Sequence, residues 1–228
     1  MNIKNIIKRL FSRYPEETDI INRLRSVNRI LFGKNSVIHT SSNLNIKADF
    51  DVNYNGNLDL SGLIIRSLGN LKSVNGYLDL YLTTLSSLGR LEYVKGYLNL
   101  VGTLVSTLGN LKYVGGTLYA YNTVLSDLGS LEYVGGGLYL AGTKITNLGN
   151  LKKVGGFLDL SNTIVLDLGP LEYVGGNIYL ENTPVKSLGS LKKVVGNIYV
   201  EEGSLLNVDS LPTRFRDKVR IVKNKKGE

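Results

Sequence analysis

The chain has 228 residues, a formal net charge of +8, no cysteine and one histidine. Lack of cysteine excludes a disulfide framework and a thiolate metal site, and the lone His39 has no cysteine or second imidazole to join it as a metal ligand. No apolar run reaches the roughly twenty residues of a membrane span, and the N-terminus MNIKNIIKRLFSRYPEE lacks the apolar stretch and small-residue cleavage site of a secretory signal.

In chain order, Ile3, Ile6, Ile7, Leu10 and Phe11 share one face at helical spacing, which predicts an amphipathic helix over 2–13 that ends before Pro15. A second helix is expected from Glu16 or Thr18 to Phe32. Ile20, Ile21, Leu24, Val27, Ile30 and Leu31 form its stripe, Glu16, Glu17 and Asp19 suit its positive end, and Gly33 is placed to stop it. Residues 1–33 are thus expected to cap whatever follows; the alternative is that the first helix binds a membrane surface or an anionic partner. Residues 34–55 alternate over Leu44, Ile46, Ala48, Phe50 and Val52, which predicts one or two irregular strands, with His39 as a surface or transition residue.

From Gly56 to Phe215 the chain reads as eight copies of a twenty-residue unit without insertion, beginning at Gly56, Gly76, Gly96, Gly116, Gly136, Gly156, Gly176 and Gly196. The pattern is G-x-L-x-L-x-x-T-x-L-x-x-L-G-x-L-x-x-V-x. Such a period marks a solenoid in which each unit is one coil. Apolar positions 3 and 5 alternate as in a strand buried on one face. Positions 10, 13, 16 and 19, for example Val105, Leu108, Leu111 and Val114, are apolar too, while glycines from Gly69 to Gly189 interrupt each return path. That path is expected to be turns and extended chain rather than helix.

Adjacent strands lie about 4.8 Å apart, so eight coils make a rod of about 40 Å. Each buried Leu or Val contributes on the order of 1.5–3 kcal/mol, against roughly 1–2 kcal/mol to order each residue, so the core must be shared between coils. Thr83, Thr103, Thr123, Thr143, Thr163 and Thr183 recur at position 8, where a buried hydroxyl needs a backbone partner in its own or the next coil. Past Asp209 and Pro212 the pattern decays, and residues 218–223 are expected to form one closing strand through Val219 and Ile221.

The L-x-L-x-x-T-x-L core resembles the leucine-rich repeat in its shortest form, and the L-G-x-L-x-x-V-x-G-x-L-x-L run is similar in pattern to the receptor L domain. Threonine stands where that family usually has asparagine, and glycine follows the leucine where short bacterial repeats often have proline. The resemblance implies a non-catalytic binding surface, commonly the strand face. The expected fold is mainly β: a right-handed leucine-rich-repeat-like β-solenoid of about eight 20-residue coils over 56–215, behind a helical cap (1–33) and a transition segment (34–55), closed by a capping strand and basic tail (216–228).

Charge is concentrated at the ends. Residues 1–35 carry eight Lys/Arg against three Asp/Glu, residues 212–228 seven against two, and the body between is near neutral. Lys4, Lys8, Arg9, Arg214, Arg216 and Arg220 are therefore candidate contacts for nucleic acid, an anionic membrane or an acidic protein, or else simply solubilise the ends. Position 17 alternates in sign from Lys72 to Lys192, which is read as register support.

Outward residues on the strand face are the main candidate site: Tyr77 and Tyr97 at position 2, Tyr119, Tyr139, Tyr179 and Tyr199 at position 4, Tyr121 at position 6. Tyrosine suits interfaces, although aromatics also stack across strands for structural reasons, and Tyr93, Tyr113, Tyr133 and Tyr173 recur on another edge. No nucleophile elbow, phosphate loop, zinc spacing or carboxylate pair stands outside the repeat rhythm. The expected function is a cofactor-free, non-enzymatic protein-binding or scaffolding module, cytoplasmic or within a viral particle. The alternatives are a structural component of an assembly such as a viral particle, and a secreted bacterial effector that binds a host protein.

Overall fold

Twenty residues close one coil by taking three extended stretches joined at three corners. In the coil from Gly96 these are the strand Leu98–Asn99, the extended run 103–108 and the strand Tyr113–Val114, with turns at 101–102, 109–110 and 115–116. The computed structural model describes residues 38–41, 45–50 and 52–223, the first two stretches by their backbone only. The helices expected over 2–13 and 16–32, with Lys4, Lys8 and Arg9, lie outside the described residues.

The coils stack in parallel at a constant offset of one repeat, Leu98 pairing with Leu118 and Leu118 with Leu138. Two parallel sheets result, so the described chain is a mainly β solenoid of about eight turns. A nine-stranded sheet runs from Leu58–Asp59 through Ile198–Glu201 to a last strand, Val219–Val222. An eight-stranded sheet runs from Asn53–Tyr54 to Lys193–Val194. The third side is extended but sparsely paired, with isolated bridges at Thr107–Asp127 and Asp167–Ser187. At its N-terminal end it is joined by the transition segment: Ile38–Ser41 pairs antiparallel with Asn45–Phe50, which runs parallel to Ile65–Gly69.

In the first seven coils the predicted apolar positions all turn inward. Leu98, Leu100, Val105, Leu108, Leu111 and Val114 are buried, and the same positions form one continuous core through the seven coils from Gly56 to Val195. No helix among the described residues is long and apolar enough to cross a membrane.

Two corners depend on glycine. The turn at position 14 holds a left-handed backbone in the seven coils from Gly56 to Val195, with φ between +53° at Gly129 and +61° at Gly89, a conformation that costs other residues roughly 1–2 kcal/mol. At the corner between the two sheets the coils nearly touch. Gly136 N–H donates to Gly116 C=O at 2.9 Å, and a Cβ on Gly155 would press into the carbonyl of Gly135.

Polar side chains inside the rhythm complete the turns. Thr103, Thr123, Thr143, Thr163 and Thr183 each donate from Oγ1 to the carbonyl three residues earlier, at 2.6–2.7 Å. The expected backbone partner is therefore in the threonine's own coil. The Thr83 hydroxyl has no such partner. Position 12 plays a role not anticipated from sequence: Ser67, Ser87, Thr107, Asp127, Asn147, Asp167 and Ser187 each accept a hydrogen bond from the glycine N–H two residues on. Of the six neighbouring pairs at position 17, three meet, with Glu92 3.7 Å from Lys72 and 3.5 Å from Lys112, and Lys192 2.9 Å from Glu172. Being exposed, each pair contributes about 0–1 kcal/mol.

The eighth unit departs from the expectation of eight equal copies. In the coils from Gly56 to Gly176 the first corner places its left-handed residue at position 7, but in the last it falls at Gly203, position 8. This extra residue turns Leu205 out to 57 % exposure and brings Leu206 into the core instead. Lacking the position-14 glycine, the chain then forms a 3-10 turn, Val208–Ser210, and a short helix, Thr213–Arg216, which seat Leu211 and Phe215 over the end of the core. The expected closing strand follows as Val219–Val222, parallel to Ile198–Glu201.

Candidate protein-binding surface

Alternation in a strand sends position 4 outward when position 3 is buried, and parallel stacking puts identical positions side by side. The nine-stranded sheet therefore carries its aromatic side chains in a column. Tyr77 and Tyr97 stack with ring centroids 4.6 Å apart and planes 8° apart. Tyr97 meets Tyr119 edge to face at 6.4 Å, and Tyr119 stacks on Tyr139 at 5.5 Å. Farther along, Phe157 approaches Tyr179 at 6.4 Å, and Tyr179 stacks on Tyr199 at 5.0 Å. Six of the seven tyrosines singled out in the sequence thus fall into two contiguous runs. Tyr121 does not join them: it stands at the first corner, after the strand has ended, 40 % exposed.

Where position 4 is not tyrosine, its side chain serves the corner. The carboxylates of Asp59, Asp79 and Asp159 accept from the backbone N–H of Ser61, Tyr81 and Ser161, and Asn99 does the same for Val101. The mixture of Tyr and Asp along this face is therefore a choice between an outward aromatic and a turn cap.

The second aromatic column, on the eight-stranded sheet, is a part of the surface that sequence reasoning set aside. Tyr93, Tyr113 and Tyr133 stack at 4.7 and 4.8 Å. Lys153 continues the column, its Nζ 5.5 Å from the centre of the Tyr133 ring and 5.3 Å from that of Tyr173. An ammonium held between two rings is a cation–π contact on both sides. The signal was the period-twenty recurrence at position 18; what hid its meaning is that each strand there is two residues long and shows no alternation.

Three phenols of the two columns, Tyr97, Tyr139 and Tyr113, are held more firmly in the neutral form. Burial, then Asp79, Tyr77, Asp59 and Tyr119, push the Tyr97 hydroxyl up to about 12. Burial and the neighbouring Tyr119, Asp159 and Tyr179 raise Tyr139, and burial with Tyr133 and Tyr93 raises Tyr113. These rings use their faces on one another, so what they offer a partner is ring edges and neutral hydroxyls.

The candidate basic contacts at the C-terminal end have partners within the chain. The Arg214 guanidinium lies 4.7 Å from the centre of the Phe215 ring. Arg216 donates from Nη2 to the carbonyls of Asp209 and Leu211 at 2.6 and 3.1 Å, which ties the short helix to the turn before it. Arg220 donates from Nη1 to the carbonyls of Asp217 and Val219, both at 2.9 Å. Among the described residues no group of three His, Cys, Asp or Glu side chains is placed to hold a metal ion.

No family model matches the chain, and no curated protein or solved structure is found that resembles it. What the surface can do follows from its own chemistry. It is a nearly neutral array of aromatic edges on two sheets that share one glycine corner, and its rings stack on one another.

Proposed function

We propose that the chain is a non-catalytic protein-binding or scaffolding module of leucine-rich-repeat type, and that its partner lies across the nine-stranded sheet around Tyr97, Tyr119 and Tyr139. The observation that carries this reading is the stacking of these rings in register on adjacent coils. Free tyrosines lose side-chain entropy when a partner fixes them, at roughly 0.5–1.5 kcal/mol for an immobilised side chain. Rings already stacked lose less. Tyrosine also combines a large apolar body with a hydroxyl that can hydrogen-bond, which is why it recurs at the centres of interfaces. The position of Tyr119 and Tyr139 in the middle of the array leaves room on both sides for contacts that exclude water.

The test compares the full chain with Tyr119→Ala/Tyr139→Ala as immobilised baits for proteins of its natural source. A partner retained by the first and lost by the second supports the reading, provided circular dichroism shows the same fold. Equal retention by both baits contradicts it.

A further inference from the structure

We propose that the outer edge of the strand Val219–Val222 is a second binding site, which takes up an extended segment of a partner protein, with alternating apolar and acidic residues, as a further strand of the nine-stranded sheet. This site is separate from the aromatic columns and stands whether or not they bind.

Solenoids must end somewhere, and a sheet that ends on a full strand leaves backbone groups unpaired. Val219–Val222 is the last strand of its sheet. Its inner edge is used: the Lys218 and Val222 carbonyls accept from Ile198 N–H and Glu202 N–H at 2.9 and 3.0 Å. In a parallel ladder with Ile198 opposite Val219, the polar groups of Arg220 and Val222 point to the neighbour, and those of Val219 and Ile221 point away. Of these outward groups, the Val219 carbonyl accepts from Arg220 Nη1. The N–H groups of Val219 and Ile221 and the carbonyl of Ile221 have no partner among the described residues. At the corner just past the last strand of the eight-stranded sheet, Lys218 Nζ donates to the Val195 carbonyl at 3.0 Å and reaches that of Gly196 at 3.5 Å. Among the described residues, that corner is thus held by a side chain while the outer edge of Val219–Val222 is left open.

The side chains specify what would dock there. Ile221 lies opposite Val200, on the core side of the sheet, yet it is 66 % exposed where Val200 is 1 % exposed. An added strand would cover it with an apolar residue. Arg220 lies opposite Tyr199 on the outer side, with Arg214 and Lys223 on the same basic end of the chain. That charge disfavours a second copy of this end and favours carboxylates at alternate positions of the incoming strand.

The test uses the full chain and a fluorescein-labelled peptide of alternating valine and glutamate, read by fluorescence anisotropy. Ile221→Pro removes an outward N–H and leaves the inner ladder of Arg220 and Val222 in place. It is expected to weaken binding by about tenfold or more. N-methylation of alternate amides of the same peptide, which leaves the protein untouched, is expected to do likewise, and lysine in place of glutamate is expected to abolish binding. The proposal is overturned if the peptide fails to bind the unaltered chain, if the N-methylated peptide binds equally well, or if a folded Ile221→Pro chain binds as before. Sedimentation showing a dimer that Ile221→Pro dissolves would also overturn it, by assigning the edge to a second copy.

Discussion

Position 7 of the coil shows how one residue can be out of step with its neighbours. Gly62, Gly102, Gly142, Asn122, Asn162 and Asn182 all take a left-handed backbone there, and so does Leu82, at φ +55°. Glycine and asparagine tolerate this conformation, but leucine is strained by roughly 1–2 kcal/mol. The strain sits beside Thr83, the one position-8 threonine whose hydroxyl has no partner. Since Leu82 is 55 % exposed, it contributes little burial in return. Leu82→Asn is therefore expected to raise stability by about 1 kcal/mol, or a melting temperature about 2–4 °C higher for a chain of this size. A melting temperature that is unchanged or lower would show that the leucine side chain is held by contacts worth as much as the strain.

At the scale of the element, the corner between the two sheets sets how closely coils can stack. Gly109 and Gly155 separate the two roles of glycine. Gly109 has a positive φ with open space around its missing Cβ, whereas a Cβ on Gly155 would meet the Gly135 carbonyl. Gly109→Ala is expected to cost about 1–2 kcal/mol through backbone strain. Gly155→Ala must push two coils apart and is expected to cost more, about 3 kcal/mol. Urea denaturation of both variants checks this; an equal or smaller loss at Gly155 would mean that the corner can open freely. The aromatic column gives a second test. Tyr97 titrates near 12 when folded, against about 10 when unfolded. The fold thus binds its proton more tightly, and the resulting stabilisation is complete below pH 10 and lost as pH rises through about 12. In a phenolate absorbance titration, Tyr97→Phe should remove a component at the high-pH end. A curve that only loses amplitude near pH 10 would contradict the account of that site.

The core was legible in the sequence because burial is periodic: residues such as Leu98 and Leu100 declare which way they face. The second sheet was not, because Tyr113–Val114 is paired with residues twenty positions away in both directions and is too short to show a pattern of its own. The extra corner residue is marked locally only by Gly203 itself, a glycine where six coils have threonine, and the loss of the next glycine hints that the eighth unit becomes a cap. Of the candidate site, the identity of the outward tyrosines could be read directly. Their stacking, and the exclusion of Tyr121 from it, required the strand ends. The duties of Arg216 and Arg220 toward backbone carbonyls were hidden as well, because charge alone does not reveal an internal partner.

For the whole molecule, we propose that a solenoid stabilised by shared burial presents ordered aromatic edges to another protein, with charge secondary. The stacked tyrosines also support the sheet at about 0.2–1 kcal/mol per pair, so truncating them is expected to lower stability modestly while leaving the core intact. The most direct measurement is the affinity of the captured partner for the full chain and for Tyr119→Ala/Tyr139→Ala, at low and at high salt. A loss of about tenfold or more is expected at both salt concentrations, whereas Arg214→Glu, at the basic end, is expected to matter mainly at low salt. If the tyrosine pair is silent in a folded variant while Arg214→Glu weakens binding at every salt concentration, the aromatic face is not the binding surface.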